Sequence, residues 1–350
     1  MARKVRLGMI GIGSFAEVHL KGALGCDNAE LVALADADDS RLHQYDEKYN
    51  LGHLDHYTNY HDMLAREDIE GVIIVTNDQA HRQPTVDALT AGKHVLCEKP
   101  MALSMDDCRA MIEAEKKSGK KLMVGQIGRY TTSFNDAIRL IEDGEIGEIF
   151  FVESEYAHDY SQIPGSTGWR KTPERHAIIG GGCHAVDLLR RIAGNPTEIT
   201  AYANHKVLTD WPVDDCTVAI MKFPNNVIGK VFCSIGCKRS YTMRTCVYGT
   251  KGTLIFNSSS IELYKDHFTD SPLYTKLYGN KAQHTVKIPV PTGHNDHNTK
   301  GEIGDFCDSI INNTDFPCTG VEGAVTAYAC MAIVESARTG EKVVMDYDFM

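Results

Sequence analysis

The sequence predicts an α/β protein in two parts, a doubly wound parallel sheet over residues 1–126 and an α+β half with a mainly antiparallel sheet over residues 127–350. Three observations carry this reading. Short apolar runs alternate with helix-like segments as far as Gly125. The first run ends on a glycine-rich turn and the second on an acid. After Gln126, strand-like runs follow one another with no helix between most of them.

The first unit starts at Lys4. Val5 to Ile10 is apolar, then come Gly11-Ile12-Gly13-Ser14-Phe15-Ala16, a helix-like stretch, and the run Leu31-Val32-Ala33-Leu34-Ala35 ending on Asp36. That order is a nucleotide-binding βαβ unit. Gly11 permits the tight turn out of the strand, Gly13 admits a pyrophosphate where a Cβ would obstruct it, and Ala16 keeps the helix close to the sheet. Phosphates belong on the helix N-terminus, where unpaired N–H groups and the dipole favour negative charge. Asp36 stands where an acceptor for two ribose hydroxyls is needed, and its carboxylate repels a 2′-phosphate, which favours NAD over NADP. A merely structural glycine turn is the plainer alternative.

Asp38 to Tyr49 reads as a helix. Gly71 to Val75 reads as a parallel strand covered on both faces, with Thr76-Asn77-Asp78-Gln79-Ala80-His81 at its carboxyl end. His94 to Cys97 is the next strand, and Glu98-Lys99-Pro100 is its exit. Ser104, with Asp107 three residues on, caps a helix reaching Ser118, and Lys121 to Gly125 is a further strand. Ligands of open α/β sheets lie outside the carboxyl ends of the strands, so Gly11, Asp36, Thr76, Glu98 and Gln126 are expected to converge. Beyond them, a helix over Ser133 to Asp143 precedes a strand over Glu148 to Tyr156. Strands follow near 197–205, 215–223, 227–237, 242–249 and 252–264, the polar stretch Ile261 to His284 reads as a surface excursion, and helices near 296–312 and 321–339 close the chain.

With 350 residues, 43% of them hydrophobic and 24% charged, the chain suits two globular domains. A formal net charge of −11 with no basic stripe argues against nucleic acid or an anionic membrane, leaving small molecules as partners. The apolar segment behind Met1-Ala2-Arg3-Lys4 is short for a secretory signal, and no later run approaches the ~20 apolar residues of a membrane span. Eleven cysteines without a CxxC pair read as reduced thiols of a cytoplasmic protein, with neither disulfides nor a metal site.

Chemistry concentrates in two places. Lys99 is fixed between a strand end and a proline. An ammonium aimed at a hydroxyl stabilises the developing alkoxide, which eases proton loss and hydride departure. A solvated turn lysine is the bland alternative, and the place of Lys99 in the row of strand ends speaks against it. The second place is Ile178-Ile179-Gly180-Gly181-Gly182-Cys183-His184, continuing to Arg191. Its glycines let the backbone approach a ligand, and His184, opening an amphipathic helix, can take a hydroxyl proton at neutral pH. Asp187, one turn on, either orients His184 or pairs with an arginine. This motif alone fits a structural histidine as well as a catalytic one. The segments Tyr156 to Tyr160 and Ile163 to Lys171 mix aromatic faces, which suit sugar C–H surfaces, with His, Asp and Arg side chains, which suit hydroxyls. In the plainer reading Tyr156 and Tyr160 pack the strand.

Together, Gly11 to Ala16, Asp36, Thr76 to His81, Glu98-Lys99-Pro100, Trp169-Arg170, His184 to Asp187 and Glu335 to Gly340 resemble the glucose-fructose oxidoreductase, inositol dehydrogenase and MocA family, in order over nearly the whole chain. The resemblance implies an N-terminal Rossmann domain and a C-terminal α+β domain with an open sheet, through which subunits form dimers or tetramers. It implies tight binding of NAD(H) or NADP(H), of which the Asp36 carboxylate favours NAD, and hydride transfer with sugars, inositols or related polyols. Family roles fall on Lys99 as the hydroxyl-polarising lysine and on His184 as the acid/base. With the strand-end reading, this gives cofactor contacts at Gly11 to Ala16, Asp36, Thr76, Asn77, His81, Glu98, Lys99, Gln126, Trp169 and Arg170. Substrate contacts are expected at Lys99, Tyr156, His158, Arg170, His184 and Asp187.

Two positions depart from the family pattern. Its aspartate four residues before the histidine is Gly180 here, so the partner acid is missing or supplied from elsewhere, and its Thr-Pro-Asn is Thr76-Asn77-Asp78. A narrower similarity points to members that oxidise the carbon 3 hydroxyl of glycosides ahead of deglycosylation. Three functions follow: a dehydrogenase of sugar, glycoside or cyclitol hydroxyls; a glycosidase or lyase that uses bound NAD catalytically; and a regulator that binds NAD without turnover, against which intact Lys99 and His184 speak.

Overall fold

Six short apolar runs pair in parallel to make the first sheet: β1 (Val5–Ile10), β2 (Ala29–Ala35), β3 (Asp55–Tyr57), β4 (Gly71–Ile74), β5 (His94–Glu98) and β6 (Leu122–Gly125), in the order β3-β2-β1-β4-β5-β6. The computed structural model describes residues 3–163, 168–266, 283–288 and 298–348. Every residue of β4 and β6 is buried, as helices on both faces require. Those helices are α1 (Ala16–Gly25), α2 (Asp39–Tyr49), α3 (Tyr60–Leu64), α4 (Arg82–Thr90) and α5 (Met105–Ser118). Leu7, Leu34 and Ile73 meet Leu20 of α1 in one core, while Val72, Ile74 and Val95 meet Met111 of α5 in another. Ser104 caps α5 by accepting from the Asp107 amide, as its spacing predicts. Strand order reverses between β1 and β4, and a crevice opens there at the carboxyl ends.

The second sheet has nine strands in the order β14-β13-β12-β11-β7-β10-β9-β8-β15. They are β7 (Ile149–Ala157), β8 (Glu198–Asn204), β9 (Cys216–Lys222), β10 (Ile228–Ser234), β11 (Thr242–Gly249), β12 (Gly252–Asn257), β13 (Ser260–Asp266), β14 (Gln283–Ile288) and β15 (Val343–Val344). Among the described residues only β7 and β10 pair in parallel. Helices α6 (Thr132–Glu142), α7 (Ala177–Gly180) and α8 (Cys183–Ala193) share a core with this sheet. Its other face is open: Tyr202 is 75% exposed, with Ile220 and Ile228 about half exposed.

Two expectations need correcting. The single strand read over 252–264 is a hairpin, because Asn257 Oδ1 accepts from the Ser259 amide at 2.8 Å and folds β12 back onto β13. The surface excursion read from Ile261 is therefore paired strand as far as Asp266; residues 267–282 lie outside those described.

The last two helices rejoin the first half. In α9 (Thr299–Asn312), Ile303, Phe306 and Cys307 pack with Leu7 and Leu34 rather than with the second sheet. Helix α10 (Gly320–Thr339) is shared, with Ala324 and Ala327 in the core beside β6 and Ala329, Cys330 and Ile333 in the core of the nine-stranded sheet. Among the described residues no helix is long and apolar enough to cross a membrane. All eleven cysteines are free.

Candidate active site

The carboxyl ends of β1, β2, β4 and β5 open onto two continuous cavities. Gly11 has φ +93°, and a Cβ there would stand 2.8 Å from the Val75 carbonyl oxygen and the Thr76 nitrogen, so only glycine makes this turn. A Cβ on Gly13 would meet nothing within 4 Å, and no side chain caps α1, so the start of the helix is accessible to a ligand at the glycine turn. Asp36 is fixed from both sides: Oδ2 accepts from the Ile12 amide at 2.7 Å and Oδ1 from the Asp38 amide at 2.9 Å. A cavity of about 610 Å³ runs past Gly11, Asp36 and Gln79, and one of about 750 Å³ runs past Phe15, Lys99 and His184. They share Gly13, Arg41, Thr76 and Asn77, so the pair forms one long groove over the turn. An extended dinucleotide fits that chemistry, with its ribose at Asp36 and its phosphates on α1.

Lys99 follows β5 and has its ammonium 3.9 Å from Glu98 Oε2 and 5.7 Å from the centre of the Phe15 ring. Burial opposes its charge, but Glu98, Cys183, Asp78 and Tyr160 outweigh burial and hold its pKa above the ordinary value. The group therefore stays a cationic donor. Glu98 is buried too, and although burial raises its pKa, the His19 ring at 2.7 Å and Lys99 bring it down to about 2. His81 lies between the exits of β4 and β5, with Nδ1 at 2.8 Å from the Pro100 carbonyl and Nε2 at 3.2 Å from that of Thr76. Burial works against its charge, yet Cys97, Asp78 and Pro100 push its pKa up to about 10. Although it borders the groove, its ring clamps two loops together.

His184 opens α8 and stacks on Tyr156 at 6.3 Å with an interplanar angle of 28°. Tyr156 and Tyr160 are 6% and 4% exposed and share a hydrogen bond of 3.0 Å. They serve the core and the groove wall at once. His158 reaches the Tyr156 hydroxyl at 3.3 Å, and Tyr241, 43% exposed and not singled out by the sequence, packs 4.8 Å from the His158 ring at the rim. Trp169 is positioned by Gln79, whose amide donates to the Trp169 carbonyl at 2.6 Å, and the Arg170 guanidinium lies 4.2 Å over the Trp169 ring. Burial and neighbouring Arg175 both lower the pKa of Arg170.

Three expected contacts lie elsewhere. Asp187 faces away from His184, its carboxylate held by Arg129 Nε at 2.9 Å and Nη2 at 2.7 Å and by the Thr326 hydroxyl at 2.9 Å. It anchors α8 and does not line the groove. Gln126, 2% exposed, and Ala16, fully buried, also stay behind the groove wall. Gly180 of the glycine triplet lines the groove, and the triplet also makes room for side chains: a Cβ on Gly181 would stand 2.6 Å from the Tyr156 ring, and one on Gly180 2.5 Å from Arg175 Nη2. Arg175 Nε in turn donates to Asp78 Oδ2 at 2.7 Å.

Residues 5–126 match the GFO/IDH/MocA oxidoreductase family with its NAD-binding Rossmann fold, and residues 134–255 match the GFO/IDH/MocA C-terminal domain. The chain belongs to the GFO/IDH/MocA family. It is 30% identical to inositol 2-dehydrogenase of Salmonella typhimurium over 71% of this chain and 72% of that one. To 1,5-anhydro-D-fructose reductase of Ensifer adhaerens it is 26% identical, over 96% of this chain and 97% of that one. In fold it superposes on levoglucosan dehydrogenase in complex with NADH with a TM-score of 0.86, at 21% identity, covering 98% of this chain and 100% of that one.

As a GFO/IDH/MocA member the protein is an NAD-binding oxidoreductase. Its two departures from the family pattern meet in space: Arg175 lies over Gly180 and is held by Asp78. Sequence reading passed over Arg175 because it stands in no motif and its partner is 97 residues away.

Proposed function

We propose that this protein is an NAD-dependent dehydrogenase that takes a hydride from a secondary hydroxyl of a sugar or cyclitol. The observation that carries this is the presence of Lys99, held cationic, and His184 in the wall of one groove that continues over the glycine turn to Asp36. NAD supplies the hydride acceptor. The Lys99 ammonium donates to the substrate oxygen and stabilises the alkoxide that forms as the C–H bond breaks. The His184 ring accepts the hydroxyl proton. A carbonyl product, NADH and one proton result. The relatives named as inositol 2-dehydrogenase and 1,5-anhydro-D-fructose reductase support this substrate class.

The finer reading is oxidation at carbon 3 of a glycoside, supported by the aromatic wall of Tyr156, Tyr160 and Tyr241. The open face around Tyr202, Ile220 and Ile228 supports a homodimer or homotetramer, and the free cysteines support a cytoplasmic setting. A test is to incubate the protein with NAD and a panel of sugars, cyclitols and glycosides, following NADH absorbance and released aglycone. Aglycone release without net NADH would favour catalytic use of bound NAD; silence on every substrate would reject turnover on this class.

A further inference from the structure

Arg175 takes no part in the hydride transfer described above, yet its placement is specific. Its side chain is 4% exposed, and its guanidinium occupies the space over Gly180, where a Cβ would stand 2.5 Å from Nη2 and 2.6 Å from Nη1. Asp78 binds it through Nε alone, and the Trp169 ring lies 5.0 Å from Cζ. Nη1 and Nη2 have no acceptor among the described residues, although Arg175 lines the groove with Lys99 and His184. Both terminal nitrogens therefore keep hydrogen bonds to give on the groove side, which an acceptor bound there can take up.

The charge around it indicates what that is. Lys99, Arg170 and Arg175 face the groove as cations, while the carboxylates there are already engaged, Asp78 by Arg175 and Glu98 by His19. A chain of formal net charge −11 thus gathers an excess of cations at this site. A planar guanidinium fork pairs with both oxygens of a carboxylate at once, a match that hydroxyls do not make.

We propose that Arg175 binds a carboxylate of the substrate, so that the preferred substrate is a sugar acid of the hexuronate type. The assignment rests on the dehydrogenase reading for its chemistry, though its binding is measurable without turnover. The test is calorimetric titration of the full chain, saturated with NADH, with D-glucuronate, D-galacturonate, D-glucose and D-galactose. A uronate should bind at least about tenfold more tightly than its parent sugar. In Asp78→Asn/Arg175→Met, which removes both charges and leaves neither buried alone, that preference should vanish while NADH affinity stays within about twofold; circular dichroism checks the fold. In Arg175→Lys, which keeps the charge and loses the fork, only part of the preference should remain. Uronates that bind no better than their parent sugars, or a preference that survives the double variant, would overturn the proposal. With NAD in place of NADH the two readings separate. Oxidation of neutral sugars alone overturns the carboxylate site and leaves the dehydrogenase standing, whereas tight uronate binding with no NADH from any sugar supports the site and counts against the dehydrogenase.

Discussion

Asp78 and Arg175 form a buried salt bridge of 2.7 Å that joins the turn after β4 to the segment before α7, 97 residues further along the chain. It ties the two walls of the groove together. Arg175→Met leaves the Asp78 carboxylate buried without its partner, and loss of one member of a buried pair costs about 3–5 kcal/mol. Asp78→Asn/Arg175→Met should lose clearly less. Denaturant unfolding of both single variants and the double variant checks this, and a double loss equal to the sum of the two single losses would mean that the pair is not coupled.

Lys99→Ala should slow hydride transfer by about a hundredfold or more, the scale seen when one donor to a developing oxyanion is removed. NAD affinity should stay close to that of the unaltered protein. Single-turnover NADH formation and a cofactor titration separate the two effects.

The rate of oxidation should rise with pH through a limb belonging to His184, since a base accepts a proton only when neutral. His184→Asn should flatten that limb. Burial holds His158 below its ordinary 6.5, with Asp159 opposing, so a limb that it governed would lie at lower pH. Burial likewise lowers His176, which does not line the groove, and His176→Asn should leave the profile unchanged. A limb that persists in His184→Asn assigns the base elsewhere.

Glu98 links stability to acid. Its pKa is near 2 in the folded chain against 4.5 ordinarily, so its contribution is complete above about pH 4.5 and is lost as the pH falls toward 2. The lowering corresponds to about 3 kcal/mol. Glu98→Gln should therefore show a shallower loss of stability between pH 4.5 and 2 than the unaltered chain, measured by thermal melts across that window.

Asp36→Ala should weaken NAD binding, because it removes the acceptor for the Ile12 amide and for the ribose together. It should improve binding of NADP relative to NAD, since Arg41, 3.7 Å from the Asp36 carboxylate, is then free to meet a 2′-phosphate. Parallel titrations with both dinucleotides decide it.

The glycine turn, Asp36 and the exits of β4 and β5 were legible in the sequence because each depends on local chain geometry: a positive φ at Gly11, an acid at a strand end, a proline after Lys99. Of the two roles open to Asp187, pairing with an arginine holds and contact with the groove does not, for a physical reason. One turn after His184 it resembles a partner, but α8 lies between β7 and α10, and Arg129 and Thr326 take the carboxylate from the side away from the groove. The triple glycine does bring backbone to the groove at Gly180, but Arg175 and Tyr156 crowd it as well, and neither contact follows from spacing. Tyr241 and Arg175 belong to the groove through contacts between distant strands and turns, which leave no periodic signal.

Helix α10 lends side chains to both halves, and α9 completes the core around β1. A ribosome delivers these pieces after β1 to β14. While the chain is being made, the parallel sheet has all six strands and helices α1 to α5 by Gly125 but lacks Ile303, Phe306, Ala324 and Ala327, so its two cores stay incomplete until α9 and α10 have emerged. The first half therefore reaches its full packing only after strands of the second sheet have been made, so the cores around Leu7, Leu34 and Val124 depend on segments far along the chain.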